Sequence, residues 1–362
     1  MSRPVRIAIV GTGDIAQTHA RALAGLPHAE LTAAMDSDDR RLDPFCSTFG
    51  TDGYRDLGTL LSRAGPDLVH VCTPPAAHYA TALVCLHAGA SVLVEKPPVI
   101  SLREFDGLTA AQGPRDRPPW FATVFQHRFG SGQRRLKHLM RTGVLGRPLL
   151  AVCHTTWFRD QAYFDVPWRG NFGTEGGGPT MGHGIHQMDM LLDVLGDWAE
   201  VSALARTQAR DVATEDVSLA HVTFASGAVA SVVNSVLSPR EESYLRFDFE
   251  HATVEVTHLY GYDDADWRVT PAPGHEGLIT ATSGEPGVKS GHQAQFARVI
   301  DAIRHGNRPP VAPGESRRTL ALAAGIYASA FTRRPVTPGE LEPGSPFYGA
   351  MNGGRRAPWL PA

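Results

Sequence analysis

The apolar run Val5-Arg6-Ile7-Ala8-Ile9-Val10 ends on Gly11-Thr12-Gly13-Asp14-Ile15-Ala16 and passes at once into the helical run Gln17 to Leu23. A strand, a glycine turn and a helix in immediate succession commit the chain to a parallel βαβ start. Gly11 permits the tight turn, Gly13 lets backbone approach a pyrophosphate, and Ala16 keeps helix and strand close. The helix N-terminus offers amide donors and the positive end of its dipole to the anion. A second apolar strand, Leu31 to Met35, ends in Asp36. At that spacing a carboxylate accepts hydrogen bonds from the adenosine ribose and repels a ribose phosphate, so NAD is the expected cofactor. Arg40 and Arg41 pull the other way, since either would suit a phosphate, and NADP stays open.

Strand-like and helix-like segments alternate through the first third of the chain. Helices are expected near 40–49 and 56–64, then the strand Leu68 to Cys72, broken at Thr73-Pro74-Pro75 because proline cannot continue a ladder. A helix from His78 to Ala88 and the strand Ser91 to Val94 follow. In a doubly wound sheet ligands sit outside the carboxyl ends of the strands, which is where Thr73, Pro74, Pro75, His78, Glu95 and Lys96 fall. Lys96 stands out. The chain has only three lysines, Lys96, Lys137 and Lys289. A lysine in a desolvated cleft can exchange protons as an arginine cannot. The alternative is a lysine that caps a turn and points into water. A polar, proline-rich loop over 113–119 precedes the strand Trp120 to Val124, after which the first domain is expected to end.

The remainder reads differently. Strands at 149–156, 200–205, 217–224, 228–236, 244–249 and 253–258 follow one another with few helices between them, the pattern of a mostly antiparallel sheet. Helices are expected over 183–195, 291–305 and 316–331. The predicted fold is thus an α/β Rossmann-type doubly wound parallel sheet plus an α+β domain with a large, mostly antiparallel sheet. The expected domains are residues 1–124, 125–337 and an irregular tail, 338–362, in which Trp359 and Leu360 dock on the body or on a neighbouring subunit. With a formal net charge of −3 over 362 residues, neither a nucleic-acid nor an anionic-membrane partner is expected. The four cysteines are scattered without Cys-x-x-Cys spacing, and no apolar run reaches a membrane span. With the first strand opening so near Met1, a cytoplasmic location is expected.

These residues resemble the glucose-fructose oxidoreductase and inositol dehydrogenase family (Gfo/Idh/MocA). The resemblance covers nearly the whole chain. It rests on Gly11-x-Gly13-x-x-Ala16, Thr73-Pro74-Pro75-x-x-His78, Glu95-Lys96-Pro97, Phe125-Gln126-His127-Arg128-Phe129, Gly176-Gly177-Gly178 leading to His186-Gln187-Met188-Asp189, and Gly306-Asn307-Arg308-Pro309. It implies hydride transfer between nicotinamide and a sugar, polyol or related carbonyl, and an open sheet whose exposed face is buried in a homo-dimer or homo-tetramer. The cofactor residues implied are Gly11, Thr12, Gly13, Asp14, Ile15, Asp36, Thr73, Pro74, Pro75, His78, Glu95 and Lys96.

Oxidising a secondary alcohol needs a hydride acceptor within roughly 3 to 3.5 Å of the carbinol carbon, a base for the hydroxyl proton and a donor to the developing alkoxide. By resemblance Lys96 is that donor and His186 the general base, a role suited to imidazole. Asp189, one turn after His186, either orients it or pairs structurally. Many family members carry an aspartate four residues before this histidine, where the chain has Gly182. His183 is the expected substitute, to bind substrate, share the proton or bond to backbone. Arg128, His154, Trp157, Trp168 and Arg169 are further pocket candidates: arginine suits a carboxylate, sulfonate or phosphate, and tryptophan stacks on sugar rings. No metal is expected, since His183-x-x-His186 is not the i, i+4 zinc spacing. Two other functions stay open: a redox-neutral, NAD-dependent glycoside cleavage or epimerisation through a transient ketone, and a non-catalytic dinucleotide or sugar sensor.

Overall fold

The structure, a computed structural model, describes residues 3–114, 116–258, 260–278 and 287–360. Arg115, inside the predicted proline-rich loop, lies outside them. The chain divides into two compact units.

The first unit opens with β1 (Val5–Val10), α1 (Asp14–Ala24), β2 (Ala29–Met35), α2 (Asp39–Phe49), β3 (Asp52–Tyr54), α3 (Leu57–Ala64), β4 (Leu68–Val71), α4 (Pro75–His87), β5 (Ser91–Val94), α5 (Leu102–Ala111) and β6 (Phe121–Thr123). Its six strands are parallel, in the order β3-β2-β1-β4-β5-β6. The central strands β4 and β5 are buried at every residue, as strands covered on both faces must be. The helix expected from His78 instead starts at Pro75, which sits in the first helical turn, where the missing N–H costs nothing.

The second unit contains α6 (Ser131–Arg141), β7 (Pro148–Phe158), α7 (Pro179–Gly182), α8 (Ile185–Leu195), β8 (Trp198–Arg206), β9 (Val217–Phe224), β10 (Val229–Ser235), β11 (Leu237–Phe249), β12 (Ala252–Thr257) and β13 (Trp267–Pro271). Its seven-stranded sheet runs β13-β12-β11-β7-β10-β9-β8, antiparallel except between β7 and β10. β9 alternates buried and exposed residues along its length, so one face of the sheet packs inward and the other is open. Side chains at Leu150, Leu204, Leu219 and Val229 stand on the open face, each more than two-fifths exposed.

After β13 the chain forms α9 (His292–Arg304), which belongs to the first unit together with the residues up to Ser316. Phe296, Val299 and Ile300 are buried with Ile7, Ile9, Ala16, Ala20 and Leu23, the inner faces of β1 and α1. The contact units change between Phe125 and Gln126 and residues 292–316 return to the first unit, whereas the expected division put the boundary after 124 and kept 125–337 together. Helical periodicity records which face of a helix is apolar and carries no address for the surface it covers.

The helix α10 (Pro313–Thr332) enters the second unit at Arg317, and the tail follows it. The tail is more ordered than expected: it makes a short turn over Pro338–Leu341 and α11 (Pro346–Gly349), buries Leu341, Phe347 and Met351, and sets Trp359 edge-on to Phe331 with ring centroids 4.9 Å apart. Among the described residues no helix is long and apolar enough to cross a membrane.

Candidate functional site

In the first unit the strand order reverses between β1 and β4, and the carboxyl ends of these strands flank the crevice where an open α/β sheet takes its ligand. Gly11 adopts φ +85°, and a Cβ there would lie 2.9 Å from backbone atoms of Cys72 and Thr73. Only glycine allows the turn after β1 to press so closely on the end of β4. Gly13 is the N-cap of α1, with no side chain capping the helix, and a Cβ built on it would meet nothing within 4 Å. No side chain therefore caps the first amides of α1, and the space beside Gly13 is open. Thr73 Oγ1 is buried and has no hydrogen-bond partner among the described residues. An open helix N-terminus and an orphaned hydroxyl fit the phosphates and riboses of a dinucleotide.

Asp36 at the end of β2 is nearly buried. Its Oδ2 accepts from the Thr12 amide at 2.9 Å and the Thr12 hydroxyl at 3.1 Å, and Oδ1 accepts from the Asp38 amide at 3.0 Å. Burial pushes its pKa up, but these donors and Arg41 outweigh that and hold it below the usual carboxylate value. Arg41 lies 3.1 Å from Asp36 and Arg40 lies 3.1 Å from Asp38, so both arginines considered as phosphate holders are paired with acids.

Two predicted cofactor residues turn inward. His78 is fully buried, with Nε2 2.7 Å from the Thr73 carbonyl and Nδ1 2.9 Å from the Pro97 carbonyl. It ties the loop after β4 to the Lys96-Pro97 turn, whose peptide is cis. Glu95 points into the core: Oε2 accepts the Lys96 amide at 2.9 Å, and Oε1 lies 2.9 Å from His19 Nε2 and 3.5 Å from His292 Nε2. His19 Nδ1 is 3.0 Å from His70 Nδ1. Burial lowers the pKa of both His19 and His70. A neutral His19 satisfies both contacts if Nε2–H donates to Glu95 and Nδ1 accepts from His70. Glu95 is thus the anchor beneath a half-buried Lys96. His19, His70 and His292 were not signalled by the sequence, because single histidines in apolar helical or strand runs carry no periodic mark.

The second unit gathers a ring of imidazoles and aromatics. His186 at the start of α8 is buried, with its ring centroid 4.8 Å from that of His127 and 5.4 Å from that of Tyr260. Tyr260 lies 5.1 Å from Trp157, which lies 5.1 Å from His183. His183 Nε2 is 3.4 Å from the Tyr163 hydroxyl. The Arg169 guanidinium covers the Tyr163 ring at 3.6 Å and the Trp168 ring at 4.9 Å, cation over π face. His183, His186, Trp157, Trp168 and Arg169 are therefore brought together, while Tyr163, Tyr260 and His127 were missed. Tyr163 lies in a single 3-10 turn over Ala162–Asp165 and Tyr260 in a turn, both too short to carry a pattern, and His127 was visible only inside a longer motif.

Three candidates are not part of that ring. His154 neighbours Thr155, whose hydroxyl bonds Gln187 of α8, and strand alternation turns His154 to the opposite, open face beside Tyr244. Asp189 does not orient His186. Its two oxygens accept from Arg128 Nη2 and Nε at 2.6 Å each, and Thr319 Oγ1 donates to it at 3.1 Å. Burial pushes its pKa up to about 6 although Arg128 pulls it down. Arg128 also reaches Asp193 at 3.2 Å, so it is committed to two buried carboxylates rather than to a ligand. Arg128→Met would leave both acids short of their countercharge. A loss of about 3–5 kcal/mol in denaturant unfolding is expected; a purely ligand-binding arginine would leave the unfolding midpoint unchanged.

Residues 5–115 match the model of an oxidoreductase family with an NAD-binding Rossmann fold, and residues 133–256 match the Gfo/Idh/MocA C-terminal domain. The chain is 26% identical to the D-apiose dehydrogenase of Paraburkholderia graminis over 96% of its own length and 93% of that protein's. It is 29% identical to the D-glucoside 3-dehydrogenase of Escherichia coli over 72% of this chain and 79% of that one. The crystal structure of the WlbA dehydrogenase from Bordetella pertussis, in complex with NADH and UDP-GlcNAcA, superposes with a TM-score of 0.81 at 24% identity, over 93% of this chain and 98% of that one. With a dinucleotide turn and Asp36 in one unit and an open mixed sheet in the other, both matched by the family's own domain models, the chain belongs to the Gfo/Idh/MocA family of NAD(P)-dependent oxidoreductases.

Proposed function

We propose that this chain oxidises a secondary alcohol of a sugar, cyclitol or sugar derivative with NAD, or reduces the corresponding ketone. The observation that carries the reading is the imidazole and aromatic ring around His186: Trp157, Tyr163 and Tyr260 offer apolar faces to the C–H faces of a sugar, and the imidazoles sit among them. The sugar-acting names of the relatives from Paraburkholderia graminis and Escherichia coli support the same class. A bound nicotinamide dinucleotide supplies the hydride acceptor or donor. Asp36, Thr12 and the amides after Gly13 hold its ribose and pyrophosphate in this reading. His186 removes the hydroxyl proton and Lys96 donates to the oxygen on which charge develops.

The test follows the cofactor's fate. Given NAD and a panel of polyols, aldoses and glycosides, the protein is expected to accumulate reduced nicotinamide in step with product. Product formed from catalytic NAD without net reduction would instead assign redox-neutral cleavage or epimerisation. Tight NAD binding with no turnover of any sugar would assign a sensor. With the substrate in hand, Lys96→Met and His186→Ala should each slow the chemical step on the order of a hundredfold or more, while NAD affinity, measured by titration, changes far less. Near-normal rates for both variants would remove the proposed roles.

NAD rather than NADP follows from Asp36, whose carboxylate is already ordered by Thr12, accepts ribose hydroxyls and would repel a phosphate on that ribose. Asp36→Ser should weaken NAD binding and improve use of NADP. A wild type that already prefers NADP would overturn this.

A second copy of the chain is proposed to cover the open sheet face, where the cross-strand pairs Leu150 with Val229 and Leu204 with Leu219 expose apolar side chains on four strands. Light scattering should give a dimer or tetramer, and Leu219→Glu should shift it toward monomer; a monomeric wild type would refute the assignment.

A further inference from the structure

Glu175 is a carboxylate with 4% of its surface exposed, set just ahead of the glycines at 176–178. One oxygen is anchored: Oε2 accepts the Gly170 amide at 2.7 Å. The other faces Gly182, and a Cβ built on Gly182 would stand 3.2 Å from Oε1. The carboxylate thus occupies the space that a side chain at position 182 would enter. Gly182 ends α7, His183 follows it directly, and His186 lies at the start of α8. The charge of Glu175 also reaches Tyr163, where it works with burial to raise the phenol's pKa, and the Tyr163 hydroxyl is 3.4 Å from His183 Nε2.

A base that takes the proton of a substrate hydroxyl becomes an imidazolium, and burial opposes that new positive charge unless a negative one stands close by. The chain carries no acidic side chain at position 182 to provide it. Near the imidazoles lie His127, Tyr260, Trp157, Tyr163 and the cations Arg159 and Arg169, while the buried carboxylate of Glu215 is turned onto the Gly178 and Thr180 amides and the Tyr327 hydroxyl. We propose that Glu175 is the positioning carboxylate of this site, delivered from the loop before the glycine run to the place beside Gly182, where it stabilises the protonated imidazole of the His183 and His186 pair. Glycine at 182 is then the counterpart of glutamate at 175: a Cβ at position 182 would crowd the carboxylate at 3.2 Å, and glycine leaves the longer side chain from another segment room to lie there. This deepens the reading of His186 as the base and rests on it for its functional meaning. The electrostatic coupling itself does not depend on the reaction.

The experiment is a histidine titration by NMR on the full-length protein with NAD present, with the signals of His183 and His186 assigned from His183→Ala and His186→Ala. Glu175→Gln keeps an acceptor for the Gly170 amide and removes only the charge. It should lower the midpoint of at least one of the two imidazoles by about one pH unit, tenfold in proton affinity. Moving the charge back onto the neighbouring backbone position, in Glu175→Ala/Gly182→Asp, should restore the midpoint, which repair of a merely structural defect would not do. Midpoints unchanged in Glu175→Gln overturn the proposal, as does a double variant that titrates like Glu175→Gln. Should Glu175→Gln fail to fold, Glu175→Asp withdraws the charge by one methylene: a midpoint lowered in the same direction supports the assignment and an unmoved one refutes it. The titration needs neither substrate nor turnover, so loss of the dehydrogenase reading in the cofactor assay and loss of this coupling are separate results.

Discussion

The contact of Gly11 with the backbone of Cys72 and Thr73 sets the geometry on which the first unit depends. A single methyl at 2.9 Å from three backbone atoms would push β1 and β4 apart at the point where the strand order reverses. Because position 11 has none, the turn after β1 stays tight and α1 starts at once. Its N-terminus then opens into the crevice and Thr12 is left within reach of Asp36. Strand pairing, the uncapped N-terminus of α1 and the placement of Asp36 are thus consequences of one missing side chain.

Each unit also buries a charged network beside its candidate site residues. In the first, Glu95 sits among His19, His70 and His292 and fixes the backbone of Lys96. In the second, Arg128 joins Asp189 and Asp193, with Lys137 and Gln133 completing the shell of Asp193. Such networks are poor sources of stability, since desolvation consumes most of the Coulombic gain. Their value is geometric: a carboxylate held by two or three donors has one position, and what is bonded to it inherits that position.

The division between what could and could not be read from the sequence follows from this. The parallel sheet, the glycine turn, Asp36 and the mostly antiparallel sheet were legible because they rest on local period and spacing, and most of their strand runs lie within two residues of the observed elements, β11 starting well ahead of its run. Short elements such as β3 and β13 were not, since three to five residues carry too little pattern. At the sites, chain position set His78 and Glu95 at the carboxyl ends of strands and made Arg128 and Asp189 pocket and positioning candidates, but whether a side chain turns outward or into the core depends on partners distant in the chain. Alternation along β7 alone separates Trp157 from His154. The glycine at 182 was legible as a gap, whereas the carboxylate that lies against it comes from a loop that no local rule connects to it.

The return of α9 to the first unit has a further consequence, for biogenesis. Phe296, Val299 and Ile300 complete a core whose other members come from residues 5–124. At a synthesis rate of about 5–20 residues per second, roughly 10 to 30 seconds separate the emergence of Phe125 from that of α9. Throughout that interval the nascent first unit lacks its closing helix, and the apolar flank of α1 and β1 is open to solvent and to chaperones while the whole second sheet is being made. The dinucleotide-binding unit is therefore first in sequence and last to be sealed, and a ribosome stalled between the two leaves an incomplete core rather than a finished domain.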